Sequence, residues 1–156
     1  MPQEIERKFL VKNNDFKAFS IREIGVVQAY LSSVPERIVR VRIWGDKAFI
    51  TVKGIQKEHS ISRYEWEKEI PYADALDLLK LCEPGRIEKI RYIVPFEGHK
   101  FEVDEFKGDN QGLVTAEVEL ESTEEKFSYP PWLGDEVTGM RKYYNSQLSK
   151  NPFTIW

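Results

Sequence analysis

Glu4-Ile5-Glu6-Arg7-Lys8-Phe9 carries charge at alternate positions, so an extended backbone puts Glu4, Glu6 and Lys8 on one face. The spacing returns along the chain in Arg40 and Arg42, Thr51 and Lys53, Glu65, Glu67 and Glu69, Lys89 and Arg91, Glu102 and Asp104, then Glu117, Glu119 and Glu121. A period of two is that of a β-strand. The opposite phase is apolar at Phe9, at Val39, Val41 and Ile43, at Ala48, Ile50 and Val52, and at Tyr92, Val103, Val118 and Leu120. An antiparallel sheet with one dry and one wet side would give this pattern. It would not sort the charges by sign, because like charges set opposite one another destabilise a sheet. Strands of uniform sign make sense around a ligand, with basic strands holding a polyanion and acidic strands holding the cations that travel with it.

Composition permits this reading without requiring it. The 156 residues suit a single domain, 1–156, and a hydrophobic share of 41% allows a packed core. Net charge is only −3, the remainder of 23 basic and 26 acidic side chains, so bulk charge points to no nucleic acid and no membrane. A lone cysteine, Cys82, leaves no internal disulfide, and no apolar run reaches membrane-spanning length; a cytoplasmic protein is expected.

The strands are predicted at about 3–11, 22–33, 37–44, 47–54, 61–70, 86–94, 100–106 and 113–121. Gly45-Asp46 makes the clearest hairpin turn, and Pro71 stops the fifth strand. A helix is expected over about 73–82, with Leu76, Leu79 and Cys82 inward, and another over about 141–149 after the Pro130-Pro131 break. The fold class is therefore mainly β (α+β). Eight strands in up-and-down order close naturally into an antiparallel barrel with a charged interior and helices outside. Alternating carboxylates suit Mg²⁺ or Mn²⁺, and arginine and lysine suit phosphate oxygens.

The opening run resembles the ExExK signature of the CYTH superfamily, the triphosphate tunnel metalloenzymes. Gln28-Ala29-Tyr30-Leu31, Arg40-Val41-Arg42, Thr51-Val52-Lys53-Gly54, Ser62-Arg63-Tyr64-Glu65-Trp66-Glu67, Lys89-Ile90-Arg91-Tyr92, Glu102-Val103-Asp104 and Ala116-Glu117-Val118-Glu119 follow in the family's order. The resemblance implies an eight-stranded tunnel that binds a linear triphosphate with a divalent metal. It is nearest to the inorganic triphosphatases, which split tripolyphosphate into pyrophosphate and phosphate. On that likeness Lys8, Arg40, Arg42, Lys53, Arg63, Lys89 and Arg91 would contact phosphate. Glu4, Glu6, Glu65, Glu67, Asp104, Glu117 and Glu119 would serve the metal. Lys8, Tyr30, Glu117 and Glu119 would act in catalysis, with Tyr30 assisting Lys8.

Arg7 and Lys68 fall on the apolar side, His59 and His99 have no metal-ligand spacing, and Glu69, Glu102 and Glu121 fit a tunnel mouth. The aromatics Trp132, Phe153 and Trp156 suit packing or a homodimer contact. Two other readings share these residues: a class IV-type adenylate cyclase or other organic triphosphatase, and a non-catalytic polyphosphate-binding module.

Overall fold

A computed structural model of the chain describes residues 5–55 and 64–156. Its strands are β1 (Ile5–Val11), β2 (Arg22–Ser32), β3 (Arg37–Trp44), β4 (Lys47–Gly54), β5 (Glu65–Ile70), β6 (Ile87–Phe96), β7 (His99–Phe106), β8 (Val114–Leu120) and β9 (Leu133–Glu136). All pairings among them are antiparallel, in the order β5-β4-β3-β2-β6-β7-β8-β1-β9.

This corrects the expected succession of eight strands in up-and-down order. There are nine strands among the described residues, and the hydrogen-bonded order has two ends, β5 and β9. The physical reason lies in the connections. A 3-10 turn at Asp15–Phe19 buries Phe16 against Tyr92 and Trp132 on the outer face, so β2 is carried away from β1 to pair with β6. Helix α1 (Tyr72–Leu79) likewise separates β5 from β6. β9, four residues that the sequence reading missed, pairs with the side of β1 away from β8.

The apolar phase packs outward, as its period requires. Phe9, Tyr92, Val94, Phe101, Val103, Ala116, Val118 and Leu120 form one cluster beneath Phe16, Trp132 and Leu133. A second cluster, Ala29, Val41, Ile43 and Ala48, lies under Ala75 and Leu79 of α1. Ala75 and Leu79 stand four apart and so share a helix face. Leu76 points away instead and is 44% exposed, against expectation. The helix expected over 141–149 is broken in two by extended Tyr144, leaving a 3-10 turn at Arg141–Tyr143 and α2 (Asn145–Leu148). Tyr143 and Leu148 pack with Ile87, Phe106, Leu113 and Val137 in a third cluster. Trp132 is buried in the outer core, and Phe153 and Trp156 pack edge-on together. No helix among the described residues is long and apolar enough to cross a membrane.

Two outward polar groups also find partners. His99 opens β7 and pairs with Glu125. Arg7 does more than cover apolar surface. Its Nε and Nη2 donate to Glu136 at 2.9 and 2.6 Å, Nη2 also donates to the Tyr129 hydroxyl, and the guanidinium lies over Phe9 and Phe127. His59 lies outside the described residues.

Two outcomes follow from this packing. Gly85 has φ +102°, and a Cβ there would sit 1.7 Å from the Ser149 carbonyl oxygen. Gly85→Ala should therefore loosen the C-terminal segment and lower Tm by at least about 4 °C, roughly the shift for 2 kcal/mol in a chain of this size. An unchanged melt would show that the two segments separate freely. The second concerns acid. The Arg7 guanidinium holds the Glu136 carboxyl down at about 2. A carboxyl lowered in the folded state adds stability that is full above its unfolded value of about 4.3 and is lost as pH falls through the folded value. The two side chains are 30% and 37% exposed, so solvent limits the effect to within about 1 kcal/mol. Urea midpoints taken from pH 6 to pH 2 should drop less in Glu136→Gln than in the unaltered protein; parallel curves would rule the pair out as a source of stability.

Candidate active site

In the sheet order β5 and β1 stand seven places apart, which in a flat sheet would separate them by about 34 Å. Yet Glu65 and Glu67 of β5 line the same cavity as Glu6 and Lys8 of β1, and its volume is about 770 Å³. The sheet must therefore be curled until its ends face one another across the charged side. That volume is within the range of small-molecule sites.

The basic side chains occupy the middle of the sheet. Arg40 and Arg42 rise from β3, Lys53 from β4, and Lys89 and Arg91 from β6. Beneath them Asp104 of β7 is 2% exposed and takes both cations of β6. Its Oδ2 accepts from Lys89 Nζ at 2.9 Å, and Arg91 donates to Oδ1 and Oδ2 at 2.7 and 2.9 Å. Burial alone would raise the Asp104 pKa, but Lys89 and Arg91 hold it well below the usual carboxylate range. Burial, with Arg91 adding repulsion, pulls the Lys89 ammonium down in spite of Asp104. Burial also opposes the charge on Arg91, whose bonds to Asp104 outweigh it and keep its pKa raised. Arg42 is different. Its Nε donates to Gln28 at 3.3 Å, and burial, then Arg40 and Arg91, lowers it to about 10. Arg40 contacts Thr51 at 3.4 Å and Glu67 at 3.7 Å, and its buried Nε has no partner among the described residues.

The acidic side chains occupy the flanks. Glu6 stands directly across from Glu119, and Glu102 directly across from Glu117. Such like-charge pairs are unfavourable unless something of opposite charge joins them. Burial raises the Glu102 pKa, with Arg91 opposing and Glu117 adding to the rise. Lys8, two residues from Glu6, lies 3.3 Å from Glu117 and donates to the Tyr143 carbonyl at 3.2 Å. Among the described residues no three carboxylates form a ready-made metal-binding group.

Of the side chains expected from sequence, Glu6, Lys8, Tyr30, Arg40, Arg42, Lys53, Glu65, Glu67, Lys89, Arg91, Glu117 and Glu119 all line the cavity. Asp104 lies behind its wall. Glu4 and Arg63 fall outside the described residues. Tyr30 is in register with Arg40. Glu102 belongs to the cavity proper, whereas Glu69 and Glu121 are not among its lining residues. Reading by sequence missed Gln28, two residues before Tyr30 and so in the same phase. It also gave no role to the C-terminal turn, although Thr138, Gly139, Tyr144, Asn145 and Ser146 line the cavity and the Asn145 side-chain oxygen accepts from Lys89 at 3.2 Å. No strand period marks that turn.

Comparison with known proteins agrees with this geometry. The CYTH domain model matches residues 2–152. The inorganic triphosphatase of Acetivibrio thermocellus is 46% identical over 154 residues, covering 98% of this chain and 97% of that protein. The inorganic triphosphatase of Nitrosomonas europaea is 36% identical over 150 residues, covering 94% and 96%. The crystal structure of an inorganic triphosphatase superposes with a TM-score of 0.77 at 34% identity, covering 96% of this chain and 95% of the other. With a family match over nearly its whole length and full-length relatives at 46% and 36% identity, the chain belongs to the CYTH domain family.

Proposed function

We propose that this protein hydrolyses inorganic tripolyphosphate to pyrophosphate and phosphate with a divalent cation, Mg²⁺ or Mn²⁺. The observation that carries the reading is one cavity with basic strands at its centre and facing acidic strands at its flanks. A linear triphosphate supplies negative charge to a centre lined by Arg40, Arg42, Lys53, Lys89 and Arg91. The facing ends of the curled sheet, β5 against β1 and β9, are positioned to meet around such a substrate as a tunnel.

The acidic flanks fit a hard cation: Glu6 stands opposite Glu119 and Glu102 opposite Glu117, which sets carboxylates side by side on neighbouring strands. Glu6, Glu65, Glu67, Glu117 and Glu119 would hold it, with Glu4. A bound divalent ion would neutralise phosphate oxygens and favour ionisation of water at the site. The chain's own groups do the rest. Glu117 and Glu119 orient a water against the terminal phosphorus and take its proton. As the new P–O bond forms, the anhydride P–O bond breaks and its electron pair leaves on pyrophosphate. Lys8, held by Glu117 and the Tyr143 carbonyl with Tyr30 lining the same cavity, and the arginines stabilise that charge.

Phosphate release with Mg²⁺ or Mn²⁺ should be faster from tripolyphosphate than from ATP, GTP, thiamine triphosphate or pyrophosphate. Cyclic AMP formed from ATP at a higher rate would replace this reading with a cyclase. Variants should separate binding from chemistry. Arg42→Ala should raise KM by about 10- to 100-fold, the loss of charge-assisted phosphate contacts. Glu119→Gln should leave KM nearly unchanged and lower kcat by at least about 100-fold. Unaltered turnover in Glu119→Gln would remove β8 from the chemistry.

A further inference from the structure

Trp44 is the next position of β3 in phase with Arg40 and Arg42, at the Gly45-Asp46 turn and just beyond the cavity lining. One indole serves two guanidiniums from different strands: Arg42 of β3 and Arg91 of β6 each lie 5.4 Å from its ring centre. Those arginines have unequal support. Arg91 is fixed by both oxygens of Asp104 and by Glu102, 2.6 Å from its Nη1. Arg42 has no carboxylate within ion-pair distance among the described residues; Gln28 holds its Nε, leaving both terminal nitrogens for a ligand. A second carboxylate beside Arg42 would hold it firmly but would compete with phosphate. An aromatic face attracts a guanidinium without adding charge, and it does so for two at once.

We propose that Trp44 is a positioning residue that sets the spacing and orientation of Arg42 against the firmly held Arg91, keeping Arg42 open to the phosphates of a linear polyphosphate. The proposal rests on the triphosphatase reading given above. It assigns Trp44 to substrate affinity, acting through the arginines, and gives it no part in the bond-breaking step.

The test compares Trp44→Phe, which keeps an aromatic face, with Trp44→Leu, which keeps only apolar bulk. Metal-free Kd for tripolyphosphate is measured by calorimetry, and phosphate release is measured separately with Mg²⁺. Trp44→Leu should weaken Kd and raise KM about tenfold with kcat within about twofold, and Trp44→Phe should stay within about threefold in affinity. In an Arg42→Ala background the leucine substitution should have a markedly smaller effect. Tripolyphosphate should also change tryptophan emission in the unaltered protein by an amount that is lost in Trp44→Phe, which decides the matter if Trp44→Leu does not fold. Equal affinity in the leucine and phenylalanine variants, or an emission change that survives Trp44→Phe, would overturn the proposal. Binding of tripolyphosphate without hydrolysis would overturn the triphosphatase reading and leave the Trp44 assignment to stand or fall on Kd. No binding in the unaltered protein would overturn both.

Discussion

Asp104 is the point on which the charged side of the sheet depends. A buried carboxylate or ammonium alone would be driven to its neutral form, since leaving water penalises charge by several kcal/mol. Asp104 and the cations Lys89 and Arg91 escape this because both carboxylate oxygens and three donor atoms are matched within 2.9 Å. The arrangement sets one carboxylate beneath two cations, with Glu102 meeting Arg91 from the cavity side. Removing Asp104 would strip buried Lys89 of its ion-pair partner and leave Arg91 to Glu102 alone. The wall of the cavity is thus held by an ionic group that is itself nearly out of reach of solvent.

Around that group, the curl of the sheet determines what the remaining charges can do. Glu65 and Glu67 sit on an edge strand, and Thr51 connects one of them to the basic side: its hydroxyl donates to Glu67 at 2.7 Å and accepts from Arg40. A buried threonine between a carboxylate and a guanidinium keeps them in a set relation without a direct short ion pair. The C-terminal turn makes a comparable connection from the other side, through Asn145 to Lys89 and through the Tyr143 carbonyl to Lys8. Neutral polar groups therefore reinforce the links between flanks and centre, beside the direct pair of Arg91 with Glu102.

Most of this was legible in the sequence because strand period and burial obey the same rule. Arg40 and Arg42 alternate with Val41 and Ile43, and no other fold of that stretch would bury one set and spare the other. The hairpin of β3 and β4 appears at its predicted limits because Gly45-Asp46 permits few alternatives. Strand order was not legible. It depends on where Phe16 and α1 find apolar surface, a choice made in three dimensions after the local pattern is spent. β9 was hidden for a related reason: Leu133-Gly134-Asp135-Glu136 is too short to display a period, and its place depends on Leu10 allowing a close backbone approach at Gly134. Asp104 was found as a charged cavity-phase residue, but its burial beneath Lys89 and Arg91 depends on register across β6 and β7.

The position of β1 has a consequence for how the chain folds. Its partners are β8 and β9, with Ile5 opposite Leu120 and Phe9 opposite Glu136, more than a hundred residues away. On the ribosome, the meander from β2 to β4 can form as soon as it emerges, but β1 has nothing to pair with until the far end of the chain is made. At about 5–20 residues per second that interval is roughly 6–22 s. During it, the strand carrying Glu6 and Lys8 also exposes Phe9 to the cell. The alternating charge that later serves the cavity works earlier as protection, because a strand with like or mixed charges at every second position is a poor template for aggregation.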